Sequence, residues 1–331
     1  MTWKKTAFAL VIVLVAFSVG FAGPGHGMRR PAGTASSSGG DISTKAFLGR
    51  WDLTLKAPDR EYPSWLELTE ENGTLKAQMV GRWGNARPLP KVQIVNGKLT
   101  FVSPKEEEDS KTDLVFEGFL NGDTLAGTLN GPDGKTWQWT GVRAPSLKRA
   151  HAPSWGKPVA LFNGKDLSGW RMSDPHATKV WKVEDGAMIT PGNGPELING
   201  SKFEDFKLHV EFNCGPDSNS GVYLRGRYEV QIETESIEEP PSHHMGSIYG
   251  FLAPQPEQPR RPGEWQTYDI TLVGRTVTVV QNGQTTIDNQ EIPGITGGAL
   301  DSHEGLPGPI YLQGSEKGRV AFRSVVITQA L

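Results

Sequence analysis

The Asn-Gly dipeptide most constrains what this chain can become. It recurs at Asn72-Gly73, Asn96-Gly97, Asn121-Gly122 and Asn130-Gly131, and again at Asn163-Gly164, Asn199-Gly200 and Asn282-Gly283. Asn and Gly both tolerate the positive φ angles of a type I′ turn, so each dipeptide between alternating apolar stretches reads as a hairpin tip. From Phe47 to Val142 the alternating stretches are short: 51–55, 65–68, 75–80, 92–95, 99–102, 114–119, 125–129 and 137–142. Sequential hairpins with one apolar face per strand predict a meander that closes into a small barrel.

Composition supports an ordered β-protein. Forty Gly and 24 Pro exceed average usage, yet ten Trp keep aromatics plentiful, and disordered chains are poor in aromatics. A length of 331 residues allows two ordinary cores. The net charge of −3, with scattered basic groups, gives no long-range attraction for nucleic acid. Cys214 is the single cysteine, so no intramolecular disulfide forms, and it reads as a packing residue.

Residues 1–22 read as a signal peptide. Lys4 and Lys5 precede the uncharged apolar run 7–21, and Gly20 and Ala22 suit cleavage. The run is shorter than the ~20 residues a spanning helix needs. Export to the periplasm or the extracellular space, with no transmembrane anchor after cleavage, is therefore expected. Residues 23–44 are small and polar and read as a flexible tether. Residues 45–143 form the expected barrel domain. Residues 144–157, with Pro145 and Pro153, read as a linker, and 158–331 form a second domain. There the rhythm resumes: 206–212, 265–273, 277–281 and 319–327 alternate, and no long amphipathic helix is visible. Two sheets packed face to face are expected.

Gly49-Arg50-Trp51 resembles the G-x-W opening of lipocalin-type barrels, and a Trp plugging the barrel end explains it as well as a ligand pocket does. Gly134-Lys135-Thr136 looks like the end of a P-loop, but the motif needs Gly where Leu129 stands, so Asp133-Gly134 reads as another hairpin tip.

The second domain carries a more specific resemblance. Its ordered blocks are 161–170 (Leu-Phe-Asn-Gly-Lys-Asp-Leu-Ser-Gly-Trp), 181–186, 206–212, 219–225 (Asn-Ser-Gly-Val-Tyr-Leu-Arg) and 228–232 (Tyr-Glu-Val-Gln-Ile). Then follow 246–250, 262–265, 281–283, 308–313 (Gly-Pro-Ile-Tyr-Leu-Gln) and Phe322-Arg323. Together they resemble the 3-keto-disaccharide hydrolase, or 3-keto-glucoside 1,2-lyase and hydratase, family over roughly residues 156–329. The resemblance implies that the second domain is a concanavalin-like jelly-roll sandwich, so that together with the meander barrel read from the hairpins the chain is expected to be all-β. It also implies a sugar substrate, specifically a 3-keto-glycoside.

Strand alternation places Tyr223 with Arg225, and Glu229 with Gln231 and Glu233, opposite the core residues Val222, Leu224, Val230 and Ile232. A row of carboxylate, amide and carboxylate is costly to bury unpaired, so it is either a solvated outer face or a cleft floor; the family resemblance implies the floor. His243 and His244 lie in the loop Pro240–Gly246, as exposed residues or as one base or metal ligand. Tyr249, Phe251 and Trp265 offer apolar faces to sugar C–H groups, or are simply core. Gln313 joins the substrate-binding set.

Family members commonly place a His near Ser315 and Glu316 and end the Glu-x-Gln-x strand in Asp where Glu233 stands. They also commonly place Asn where Gln266 follows Trp265. These departures leave the base open between Glu233 and His244. A C3 ketone acidifies the C2 hydrogen; a base removes it, and the enolate needs donors already in place. A general acid then helps the C1 oxygen leave. The expected roles are Glu233 or His244 as base, Arg225 with Gln231 as oxyanion stabiliser, and Glu229 as acid or orienter. A divalent metal ion held by the carboxylates and a His would serve the same enolate, and its use stays open. An ordinary jelly-roll glycoside hydrolase and a non-catalytic carbohydrate-binding module are the competing readings. Oligomeric state is not legible.

Overall fold

Where the sequence alternates, the chain is strand. Asn72-Gly73, Asn96-Gly97, Asn121-Gly122 and Asn282-Gly283 turn one strand back on the next, whereas Asn163-Gly164 and Asn199-Gly200, expected as hairpin tips, instead carry the chain from one sheet to the other. Asn72-Gly73, Asn96-Gly97 and Asn282-Gly283 all have positive φ at both residues. The computed structural model describes residues 43–190, 192–235 and 238–331. The expected leader and all but the last two residues of the expected tether lie outside the described residues.

The first sheet has nine strands: β1 (Gly49–Lys56), β2 (Glu61–Glu71), β3 (Thr74–Val80), β4 (Arg87–Pro88), β5 (Lys91–Val95), β6 (Lys98–Ser103), β7 (Leu114–Asn121), β8 (Thr124–Asn130) and β9 (Thr136–Arg143). Their order is β4-β3-β2-β1-β9-β8-β7-β6-β5. The last strand thus returns to the first and curls the meander into a barrel that is unpaired between β4 and β5. Pro88 and Pro90 flank that seam, and a proline has no N–H to give to a ladder. Leu53, Leu66, Phe101, Phe116 and Trp139 fill the interior. Trp51 closes one end. Its Nε1 donates to the Phe47 carbonyl at 2.8 Å, and the Arg143 guanidinium covers its ring at 3.8 Å.

The remaining strands form a jelly-roll sandwich. In chain order they are β10 (Val159–Ala160), β11 (Trp170–Met172), β12 (Lys182–Glu184), β13 (Ala187–Thr190), β14 (Leu197–Asn199), β15 (Phe206–Cys214), β16 (Asn219–Leu224) and β17 (Tyr228–Glu233). Then come β18 (Trp265–Val273), β19 (Thr276–Gln281), β20 (Gln284–Glu291), β21 (Tyr311–Leu312) and β22 (Val320–Gln329). The larger sheet runs β12-β13-β22-β15-β18-β19-β20 with β10 also on β22, and the smaller runs β11-β14-β21-β16-β17. Leu208, Val210 and Phe212 of β15 share one apolar cluster with Val222, Leu224, Val230 and Ile232 of the smaller sheet. Cys214 is buried, and burial pushes its thiol up to about 11, which suits packing and not nucleophilic work. Among the described residues the only helices are the single turns Thr44–Ala46 and Pro241–His243, and none is long and apolar enough to cross a membrane.

The barrel and the sandwich belong to one compact unit, Asp41–Leu331. Trp65 of β2 points out of the barrel, is 0% exposed, and packs edge-on against Phe251 at 5.3 Å within the sandwich cluster. Arg50 pairs with Glu291 at 2.9 Å, and Thr54 meets Ser302 at 2.6 Å. Asp52 is buried against Glu304, which also accepts from Tyr228 (2.6 Å) and Arg275 (3.1 Å). Burial first, then the Glu304 charge and hydrogen bond, push Asp52 up to about 9. Its carboxyl therefore keeps its proton at neutral pH. Residues 144–157 are not a bare linker. Arg149 pairs with Asp205 at 2.6 Å, Trp155 bridges to Ala330, and the Leu147 carbonyl lies against Gly274.

Candidate active site

β16 and β17 pair with Tyr223 opposite Glu229 and Gly221 opposite Gln231. Val222, Leu224, Val230 and Ile232 turn into the core, which leaves Gly221, Tyr223, Glu229 and Gln231 on the other face. Tyr311 of β21 joins them, its ring stacked on Tyr223 at 3.9 Å. The Tyr223 hydroxyl lies 2.8 Å from Glu229 Oε2 and 2.7 Å from the Gly297 carbonyl, and the Tyr311 hydroxyl donates to the Gly298 carbonyl at 2.6 Å. The Gln231 amide nitrogen donates to the Ser220 carbonyl (2.9 Å) and lies 3.3 Å from Glu229 Oε1. A Cβ at Gly221 would overlap Glu229 Oε1, so the glycine of Asn219-Ser220-Gly221 makes room for the carboxyl.

A loop fixes the next residues along the outer edge of β17. Gly246 N–H donates to the Gln231 carbonyl (2.9 Å), Gln231 N–H to the Ser247 carbonyl (3.0 Å) and Tyr249 N–H to the Glu229 carbonyl (3.1 Å). This brings Tyr249 beside the carboxylates, with His243 stacked on its ring at 4.6 Å and bonded through Nδ1 to Glu239 at 2.8 Å.

The electrostatics follow from burial. Glu229 is pushed up to about 8 by burial; the Tyr223 hydrogen bond opposes the shift and the Glu316 charge adds to it. At neutral pH it is mostly a neutral acid. Burial, then the charges of Glu229, Glu239, Glu316 and Glu235, hold the Tyr249 hydroxyl above the ordinary phenol range. Glu316 is raised by burial and by Glu235, with Lys317 opposing.

A cleft of about 960 Å³ lies beside this face and meets it at Gly298, whose carbonyl holds the Tyr311 hydroxyl; the buried Tyr223, Glu229 and Gln231 side chains do not line it. The sandwich lines it with Glu196, Gly298, Gln313 and Glu316, and the barrel with Tyr62 and Trp83. The buried Oε1 of Gln313 has no protein partner, so it is an acceptor ready for a hydroxyl.

The residues expected from sequence divide. Tyr223, Glu229, Gln231, Tyr249 and Gln313 gather around this face; four others do not. The alternation that would set Arg225 beside Tyr223 stops when β16 ends at Leu224. Arg225 takes φ 52° in the turn, and its guanidinium reaches the Tyr228 hydroxyl (2.9 Å) and the Gly274 carbonyl (3.0 Å), on the core side. Glu233 is neutralised by Arg260 at 2.7 Å and accepts the Met245 N–H. His244 directs Nδ1 at Glu257 (3.0 Å) and Nε2 at the Glu239 carbonyl (2.9 Å), in a separate hollow with Arg260. Trp265 lies under Arg323, which pairs with Glu211 on the outward side of β15. Among the described residues no group of three or more His, Cys, Asp or Glu is arranged to hold a metal ion.

Sequence reasoning missed Tyr311, and it treated Glu316 only as a departure from the family pattern. Tyr311 was within reach, since Tyr311 and Gln313 alternate within the block 308–313 as Tyr223 does in its own. Glu316 follows the short strand β21 in a loop, where periodicity gives no face.

A domain family described as 3-keto-alpha-glucoside-1,2-lyase-like matches residues 157–328, just over half of the chain. The chain belongs to this family. Its lyase-like domain coincides with the sandwich and excludes the barrel. A curated 3-keto-disaccharide hydrolase of Bacteroides thetaiotaomicron is 24% identical over 185 residues, covering 43% of this chain and 64% of that protein. The match thus leaves over a third of that relative's length unspanned. A solved candidate glycosyl hydrolase of Parabacteroides distasonis is 27% identical, with a TM-score of 0.43, over 57% of this chain and 94% of its own. A solved non-specific endo-beta-1,3(4)-glucanase of family GH16 is 9% identical, with a TM-score of 0.33, over 55% and 95%.

Proposed function

We propose that this lyase-like domain makes the protein a carbohydrate-active enzyme that cleaves 3-keto-glycosides by C2 proton abstraction and elimination. The supporting observation is a buried carboxyl, Glu229, raised to about 8 by burial and by the charge of Glu316, a second carboxyl that reaches the cleft. Both are raised, so the roles are assigned by position: the buried group as the acid and the group at the cleft as the base.

In this reading Glu316, and not Glu233 or His244, removes the C2 proton. The electron pair left on C2 is delocalised into the C3 ketone, and Gln313 donates its amide hydrogens to the oxygen that gains charge. The C1–O bond breaks, a C1=C2 double bond forms, and the departing oxygen takes a proton. In this reading Glu229, raised to about 8, is the acid assigned to that proton. Addition of water across the double bond returns a 3-keto sugar. No step is routed through a metal ion, because no donor set is gathered among the described residues.

The test is turnover by the purified protein of a 3-keto-gluco-disaccharide beside its unoxidised parent. Consumption of the oxidised sugar alone supports elimination. Equal consumption of the parent points to an ordinary hydrolase, and binding of both without turnover points to a binding module.

A further inference from the structure

The barrel wall of the cleft is built, not incidental. Trp83 sits in the β3–β4 connection with its indole 38% exposed into the cleft. Its edge meets Tyr62 at 5.6 Å, and Tyr62 in turn stacks parallel on Trp137 at 6.0 Å. The Arg82 guanidinium lies over the Trp83 ring at 4.4 Å and is itself held by the buried carboxylate of Glu108, which also binds Arg87 at 2.8 Å and Ser103 at 2.7 Å. The connection is wedged against the sandwich as well. A Cβ at Gly297 would overlap the Gly84 carbonyl, and one at Gly250 would crowd Asn85. Exposed indole therefore stands at a fixed place opposite Gln313 and Glu316, with Arg60 and Glu61 as polar groups on the same wall.

A rigid aromatic face flanked by hydrogen-bonding groups suits a pyranose ring, whose C–H face is apolar and whose edge carries hydroxyls. The cleft, at about 960 Å³, is at the large end of the ~300–1,000 Å³ usual for small-molecule sites and has room beyond one ring. We propose that the barrel completes the substrate site: Trp83 is the platform of a second sugar subsite that holds the leaving-group ring of a disaccharide. The inference rests on the carbohydrate reading of the cleft, and it gives the barrel, which lies outside the family domain, a role in substrate choice.

Calorimetric titration of the full chain with an unoxidised gluco-disaccharide and with methyl glucoside tests it, since neither ligand needs to react. The wild-type protein should bind the disaccharide about tenfold more tightly. Trp83→Ala should abolish that preference, and Trp83→Phe should keep most of it. Trp265→Ala, an exposed Trp on the outward face, should leave it intact. No preference in the wild type, a preference surviving in Trp83→Ala, or equal weakening of both ligands would each overturn the subsite. Turnover of 3-keto-glycosides, measured separately, keeps the two readings apart. A preference without turnover sinks the enzymatic reading alone, and turnover without a preference sinks the subsite alone.

Discussion

Tyr223 and Glu229 lie side by side across the β16–β17 pair, 2.8 Å from hydroxyl to carboxyl oxygen. The Tyr223 oxygen is also 2.7 Å from the Gly297 carbonyl, which can only accept. A single phenolic proton serves one of these partners at a time. When it is given to Glu229 it favours the charged carboxylate, yet burial outweighs that bond and keeps Glu229 raised to about 8.

Replacing Glu229 by Gln keeps the shape and an acceptor oxygen for Tyr223 but removes the transferable proton. Turnover of a 3-keto-glycoside should fall by about 10²-fold or more, with the melting temperature little changed. Steady-state kinetics beside thermal melts check this. Full activity in the folded variant would remove Glu229 from the mechanism.

The pH profile follows from the same group. Glu229 acts as an acid only while protonated, so kcat/KM should decline as pH rises through about 8. Glu316 acts as base only while ionised, so its raised value should set an acidic limb above the usual carboxylate range. A rate that climbs steadily from pH 7 to 9 would contradict the acid role of Glu229, and a profile with no acidic limb would contradict the base role of Glu316.

Much of this arrangement was legible beforehand, and the losses have physical causes. Asn-Gly tips and period-two alternation gave the meander and the two-sheet sandwich, because turn chemistry and strand faces are local. The shared face of Tyr223, Glu229 and Gln231 was legible the same way. Arg225 was misplaced because alternation was carried one residue past the end of β16, into a turn. His244 and Glu233 kept their identities but not their freedom, since Glu257 and Arg260 lie far along the chain from the strand pattern. The docking of barrel on sandwich left little local trace. Trp65 reads as a barrel residue in its strand, and only the assembled molecule shows it buried against Phe251.

Trp65→Ala should therefore act on both halves at once. Removing this fully buried ring should cost roughly 3–5 kcal/mol by denaturant unfolding. A loss well below that range would mean the barrel and sandwich are only loosely apposed.

Asp52 makes the same junction sensitive to pH. Its value rises from the ordinary carboxylate range in the unfolded chain to about 9 in the folded one. The stability it contributes is fully present below about pH 4 and is lost as pH rises through about 9, because the unfolded chain releases the proton first. Asp52→Asn, which keeps the shape and carries no titrating proton, should flatten the fall in melting temperature between pH 5 and 9. Parallel curves for the variant and the wild type would place the titration elsewhere.

Elimination is tested most directly at C2. A 3-keto-disaccharide is turned over in deuterium oxide, quenched early, and the released 3-keto-glucose is read by mass spectrometry against an enzyme-free exchange control. Passage through the C1=C2 intermediate puts solvent deuterium on C2, so the wild-type product should carry it well above the control, and Glu316→Gln should form little product at all. Released sugar that keeps its original C2 hydrogen would contradict proton abstraction and make the cleft the site of a direct hydrolysis.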